Sequence, residues 1–193
     1  MSTIKVTNVQ NPSAASAAIT LDTNGQATLN GLAYPTAGPL SNRNLIINGA
    51  MQVAQRGTST NVTGYLLDRF SMDASGGTRL VTQENLTSGT PYNEGFRYFH
   101  RLKNTGTATA AANYRAVRQP IEAQNLAQSG WDYTSASSYV TLSFWVRASV
   151  AQTYYVRLFT SDGTAQAYAS AFSLSANTWT KVTKTIHGNS NIT

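Results

Sequence analysis

Apolar and polar residues alternate along much of the second half of the chain, most clearly over residues 139–147. Successive side chains of a β-strand point to opposite faces, so every second residue of this run shares a face. We expect one face of the predicted strand to point into a hydrophobic core. The residues of that face are Val140, Leu142, Phe144 and Val146.

Other short runs from residue 42 onward are separated by Gly, Asn, Ser and Asp, a style typical of a β-sandwich. Predicted strands cover 44–48, 51–55, 66–73, 78–84, 96–103, 113–119, 139–147, 153–160, 165–174 and 178–186. The last four are joined by short connections, which predict an antiparallel meander. One helix is predicted over 121–128, because Pro120 suits a first helical position and Gly130 ends the run. The pattern therefore predicts an all-β, antiparallel sandwich.

Residues 1–40 are small and polar, with only scattered β-branched residues. Asn24-Gly25 separates two short alternating runs, which is a strong signal for a β-hairpin. No aromatic residue precedes Tyr34, and an isolated hairpin is marginal in water, so this segment needs a partner. We therefore predict an attachment and oligomerisation segment over 1–40 and a sandwich domain over 42–193. The residues expected to make the attachment contacts are Ile4, Val6, Val9, Ile19, Leu21 and Leu29.

Charge is sparse and spread out: charged residues make up 11% of the chain, and the net charge is +6. The arginines are scattered singly, whereas nucleic-acid binding requires a clustered basic stripe, so we expect no nucleic-acid partner. Residues 97–103 come nearest to such a cluster. On a strand they place Arg97, Phe99, Arg101 and Lys103 on one face. Two interpretations of this row remain open: a strand face exposed to solvent, and a surface that binds an anionic ligand.

No constellation of catalytic residues is recognisable. The chain has no cysteine, which excludes disulfides and thiolate metal sites. His100 and His187 are isolated in sequence, and Asp22-Thr23-Asn24-Gly25 lacks the bidentate Glu of a calcium loop. We expect no enzyme activity, no metal and no cofactor. We also expect no membrane partner, because no apolar run approaches the roughly 20 residues of a membrane span, and no signal peptide is recognisable.

Aromatic and arginine residues on the outward faces of the late strands are the candidates for ligand binding. Aromatic ring faces stack on sugars, and arginine forks suit hydroxylated or anionic glycans. The candidate carbohydrate-binding residues are Trp145, Tyr155, Trp179, Arg147 and Arg157. Burial of the same aromatic residues in a core is the alternative, because large aromatic side chains are mostly buried.

Several segments resemble virion proteins of tailed phages. Residues 1–6, 8–13 and 19–22 resemble the opening of virion proteins, often tail-fibre proteins, of marine and cyanobacterial phages. Residues 44–58, together with Tyr65 and Leu67-Asp68-Arg69-Phe70, resemble the start of a carbohydrate-binding-module-like jelly roll found in phage tail and fibre proteins. Residues 117–122, 140–148 and 175–179 continue the same pattern.

The resemblance implies a structural component of the virion, assembled in the host cytoplasm. Its implied role is the virion-proximal part of a tail fibre, anchored to a tail adaptor or nozzle and contributing to host attachment. A homotrimer and a host surface glycan are the further partners it implies. Alternatives are a capsid decoration or head-fibre protein and a module that recognises host polysaccharide directly. A jelly roll of this type would need further strands after Thr193, from a longer chain or a neighbouring subunit.

Overall fold

The computed structural model shows an all-β protein with several antiparallel sheets, which confirms the predicted fold class. It describes residues 6–10, 13, 15, 17–21, 23, 27–29, 32–34, 44–107, 109–160 and 165–188. The chain divides into two compact units, Met1–Arg43 and Asn44–Thr193. Each unit has its own sheets, and we describe each by itself.

The first unit carries a four-stranded antiparallel sheet in chain order. Its strands are β1 (Asn8–Val9), β2 (Ile19–Leu21), β3 (Ala27–Leu29) and β4 (Leu32–Tyr34). Strands β2 and β3 pair in antiparallel register, as the hairpin prediction requires, although most of the predicted turn lies outside the described residues. The sheet is larger than the predicted hairpin, because β1 and β4 extend it on both sides.

The second unit carries the remaining strands and two short helices. In chain order these are β5 (Ser59–Thr60), β6 (Gly64–Tyr65), β7 (Ser71–Ser75), β8 (Arg79–Asn85), α1 (Thr90–Asn93), β9 (Tyr98–Asn104), β10 (Tyr114–Arg118), α2 (Ala123–Gln128), β11 (Tyr139–Val146), β12 (Gln152–Thr160), β13 (Gln166–Leu174) and β14 (Thr180–His187). Neither helix is long and apolar enough to cross a membrane.

Strand pairing in the second unit is nested. The β8–β9 pair lies within the β7–β10 pair in sequence, and β12–β13 lies within β11–β14. The predicted meander of the last four strands is therefore wrong. The outer pairing matches the apolar residues of the two strands, because Val140 lies opposite Ile186 and Phe144 lies opposite Val182. This register keeps the apolar faces of β11 and β14 on the same side of the ladder, and a shift of one residue would separate them.

A hydrophobic core joins the sheet β5-β8-β9 to the sheet β6-β7-β10. Its centre is Leu66, Met72 and Val81, all almost fully buried, with Ala74 and Leu102 packed against them. Met72 lies on β7, while Val81 lies on β8, so the two sheets contact each other through their faces. Burial of one such side chain contributes about 1.5–3 kcal/mol.

The β11–β14 and β12–β13 ladders meet through aromatic side chains. The ring of Phe144 meets that of Phe172 edge to face at 5.7 Å, and Tyr154 stacks on Phe172 at 6.1 Å. On β11 the predicted core face is half-buried, whereas Thr141 and Ser143 are exposed, as the alternation predicts. These contacts fit a sandwich-like arrangement, and the jelly-roll topology stays a prediction.

Two strands predicted near the start of the second unit are wrong, and a third begins later than predicted. Residues 44–48 and 51–55 form turns and irregular backbone, and the segment 66–73 becomes a strand only at Ser71. The reason is backbone geometry. Asn48 and Met51 have φ of 57° and Arg69 has φ of 72°, left-handed values that interrupt a strand.

The predicted helix exists but begins later than expected, at Ala123, with Glu122 as its N-cap. Pro120 is not its first residue. The neighbouring Gln119 side chain forms two hydrogen bonds with the main chain of Ile47, which tie this part of the chain to an earlier loop. The sequence analysis missed helix α1, where Pro91 lies at the start of a single turn.

Candidate functional site

The β11–β14 ladder places three of the predicted binding residues on one face. Trp145 lies directly opposite Lys181, and the paired segment ends at Val146 and Thr180. The residues that follow these ends, Arg147 and Trp179, line one depression together. Residues two apart on a strand share a face and are about 7 Å apart, so we describe these side chains as one patch. This patch lies on the face away from Phe144, as the alternation of apolar and polar residues predicts.

Trp179 borders a depression of about 280 Å³, which we call the Trp179 depression. The edge-to-face partner of the indole is Phe99, with ring centroids 5.5 Å apart and planes at 84°. Trp179 is half-buried, whereas Arg147 is exposed. The lining residues are Asn85, Leu86, Thr87, Ser88, Gly89, Phe99, Arg147 and Trp179. The depression thus combines an aromatic wall, one guanidinium and a rim with hydroxyl and amide groups.

Trp145 is fixed by a charged pair beside this depression. Its indole Nε1–H donates to Glu94 Oε2 at 2.9 Å, and Lys181 Nζ lies 3.1 Å from the same oxygen. The Trp145 hydrogen bond, followed by that of Lys181, holds the pKa of Glu94 below its usual value. The N–H of Trp145 is thus engaged, and Lys181 Nζ also lies over its ring, 5.7 Å from the centroid, so contacts within the chain partly cover this side chain. Sequence analysis missed Glu94, which follows the unpredicted helix α1.

Tyr155 and Arg157 lie on a different ladder from the other three candidates. They sit on β12, opposite Ala171 and Ala169, on the face away from Phe172. Tyr155 is 69% exposed, because the small side chains opposite leave its ring uncovered. The guanidinium of Arg157 lies 4.8 Å from the Phe159 ring. The two ladders meet through their Phe144 and Phe172 faces, so the five predicted residues lie on two outward faces rather than one.

Those predicted attachment residues that the structure describes lie in or near the small sheet of the first unit. Val6, Val9 and Leu21 are exposed, and Ile19 is half-buried. Leu29 belongs to β3, and Ile4 lies outside the described residues.

Two arginines of the row over 97–103 form contacts within the chain, Arg101 on β9 and Arg97 just before it. Arg101 lies 3.6 Å from Glu84, and Arg97 donates to the carbonyls of Tyr92 and Phe96. The Arg97 guanidinium also covers the Tyr92 ring at 4.1 Å. These contacts favour a solvated strand face over a site for an anionic ligand.

His100 points to the opposite side of β9 from Arg101. Both of its ring nitrogens are buried and lack a hydrogen-bond partner in the part of the chain that the structure describes. Burial lowers its pKa to about 4, so the ring is neutral at physiological pH. The same described part contains no group of three or more His, Asp or Glu side chains arranged to hold a metal ion.

Comparison with known proteins gives no relative: no family model, curated protein or solved structure matches this chain.

Proposed function

We propose that this chain is a non-enzymatic structural protein of a tailed-phage particle, the particle-proximal part of a tail fibre. In this proposal the first unit attaches to the particle and the second binds glycans on the host surface. The sequence resemblance of residues 44–58 and 67–70 supports the particle context. The nested pairing of antiparallel strands supports a jelly roll, in which paired strands wind together around two sheets.

The observation that carries the glycan-binding proposal is that Trp179 and Arg147 line the same depression. An indole face stacks on the apolar face of a sugar ring, and a guanidinium donates to hydroxyl or carboxylate oxygens. Phe99 packs against the indole and limits its movement, which lowers the entropy lost on binding. Asn85, Thr87 and Ser88 supply further polar groups around a sugar in this position.

The exposed apolar side chains of the first unit support its role in attachment. Val6, Val9 and Leu21 expose apolar surface on or beside a sheet of short strands, and such surface on a small unit favours a partner protein. In the proposed assembly the partner is a tail adaptor or nozzle protein, or other copies of this chain in a trimer.

Replacing Trp179 by alanine is expected to weaken glycan binding at least about tenfold. Loss of an aromatic anchor typically costs about 2 kcal/mol or more, and each 1.4 kcal/mol is a factor of about ten. Binding of the full chain to an array of bacterial surface polysaccharides would measure this. Tyr133→Ala is the control and should leave that affinity unchanged, because the exposed Tyr133 ring lies outside the lining of the depression. Unaltered binding by a folded Trp179→Ala protein would remove the depression as the sugar site.

Deleting residues 1–40 is expected to leave the second unit folded and to exclude it from phage particles. The two units are separately compact, so the sandwich keeps its own core. Mass spectrometry of particles purified from infected cells would measure incorporation, with Trp179→Ala in the full chain as the control that still incorporates. Normal incorporation of the truncated chain would place the anchor elsewhere. Gold labelling of particles would distinguish a tail fibre from a capsid decoration.

A further inference from the structure

Three segments that carry the sequence resemblance meet at a second depression, remote in sequence from Trp179. They are residues 44–58, 65–70 and 117–122. The depression has a volume of about 380 Å³, within the range of about 300–1,000 Å³ typical of small-molecule sites. We call it the Arg56 cleft. Its lining residues are Arg56, Tyr65, Asp68, Arg69, Pro120 and Glu122.

Side-chain amides hold the three segments together. Asn48 Nδ2 donates to the carbonyls of Val53 at 2.9 Å and Asp68 at 3.0 Å, and its Oδ1 accepts from the Val53 N–H at 3.0 Å. Gln119 forms a paired contact with the main chain of Ile47, accepting at 3.0 Å and donating at 2.7 Å. Five hydrogen bonds from two side chains therefore fix the walls of the cleft.

The backbone around the cleft is unusual. Among the described residues, four that are not glycine have a positive φ, and Asn48, Met51 and Arg69 are three of them. A left-handed conformation costs a residue with a long side chain about 1–2 kcal/mol, so it persists only where the surroundings impose it. The Asn48 and Gln119 contacts provide that constraint. The cleft is consequently preformed, which lowers the entropy lost when a ligand binds.

Charged groups of both signs line this cleft together with an aromatic ring. Tyr65 is 46% exposed, and the Arg56 guanidinium lies 5.6 Å from its ring centroid. Arg69 Nη2 lies 3.3 Å from Glu122 Oε1, and the other Glu122 oxygen, Oε2, accepts from Gln124 Nε2 at 3.0 Å. Asp68 Oδ2 accepts from the Gln55 N–H at 3.1 Å. A carboxylate has about four acceptor positions, so both Asp68 and Glu122 keep acceptor capacity. Two guanidinium groups and two carboxylates give the cleft no net formal charge.

We propose that the Arg56 cleft is a second saccharide-binding site, and that it takes a neutral hexose unit of a polysaccharide. A hexose hydroxyl both donates and accepts, which matches the carboxylates of Asp68 and Glu122 and the guanidinium of Arg56. The Tyr65 ring supplies the stacking surface. A carboxylated sugar would meet two carboxylates as well as two guanidinium groups, so a cleft without net formal charge gives it no overall electrostatic advantage over a neutral sugar. This inference rests on the proposed function, because it assigns a second glycan site to the same unit.

The test is a titration of the full ¹⁵N-labelled chain with neutral hexasaccharides of glucose, galactose and mannose, and separately with hexagalacturonate. We expect a neutral probe to shift the amide signals of residues 55–58 and 65–69. Tyr65→Ala should weaken that response at least about tenfold, as expected for a lost aromatic anchor. Tyr133→Ala is the matched control, because Tyr133 is 47% exposed and lies outside the cleft lining. It should bind as the unaltered chain does.

The outcomes separate this inference from the proposed function. Shifts confined to residues around Trp179 would overturn the second site and leave the proposed glycan binding intact. A response at the cleft to hexagalacturonate alone would overturn the neutral ligand class. If the cleft signals respond to a neutral probe in the Trp179→Ala chain as well, the two sites act independently and the inference is supported. Failure of every probe to shift either region would overturn both glycan sites.

Discussion

Replacing Ile186 by alanine is expected to lower the free energy of unfolding by about 2–5 kcal/mol, the usual cost of truncating a buried aliphatic side chain. Ile186 lies on β14 opposite Val140 and is only 1% exposed. Truncation removes its transfer free energy and leaves a cavity in a face that the nested pairing keeps buried. Urea unfolding followed by tryptophan fluorescence would measure the change.

Ile47→Ala is the matched control for this substitution, because Ile47 is 45% exposed in the second unit. Its replacement should change stability by less than about 0.5 kcal/mol, as is usual at the surface. Equal costs for the two variants would contradict the register of β11 with β14. A shift of one residue in that register would exchange the buried and exposed faces of the strand.

Lowering the pH from 7 to 5 is expected to destabilise the second unit through His100. Its pKa in the folded chain is about 4, below the ordinary 6.5. The unfolded chain therefore takes up a proton between these values that the folded chain does not. The contribution of His100 to the free energy of unfolding is fully present above pH 6.5. It falls as the pH drops towards 4 and is constant below that value. The full span is about 3 kcal/mol, from about 1.4 kcal/mol per unit of pKa.

Unfolding free energies of His100→Leu at pH 7 and pH 5 provide the test. Leucine has no ring nitrogen to protonate, so this variant should lose most of the decline above pH 5, where most carboxylates are still ionised. His187→Gln is the control and should keep the decline, because its exposed ring contacts only the Ala136 carbonyl among the hydrogen bonds described. A decline that survives His100→Leu would assign the pH dependence to other groups.

Local sequence patterns were sufficient to predict several strands and to distinguish the apolar face of a strand from its polar face. The alternation over 139–147 predicts the apolar face of β11, which is half-buried while Thr141 and Ser143 are exposed, because burial on one face imposes a period of two. The Asn24-Gly25 signal likewise predicts the pairing of β2 with β3. The same alternation places Trp145 and Trp179 together on the outward face of their ladder.

Partners and special backbone conformations could not be predicted in this way. Alternation identifies the apolar face of β11 but does not tell whether β12 or β14 pairs with it, since both carry a matching face. Left-handed Met51 and Arg69 have ordinary side chains that normally favour extended or helical backbone. Their conformation depends on Asn48 and Gln119, which act across long sequence separations. The Arg56 cleft was therefore not visible in the sequence.

From the nested strand order we also expect a definite order of events when the second unit folds. The β12–β13 pair closes a local segment, whereas β11 meets β14 only across that whole segment. Loop-closure entropy rises with the length of chain enclosed, so the inner pair forms first and shortens the effective loop for the outer one. The β8–β9 pair likewise shortens the effective loop between β7 and β10. We therefore expect each inner pair to form before its outer pair, and we expect the pairing of β11 with β14 and of β7 with β10 to be slower, because it joins residues of high sequence separation.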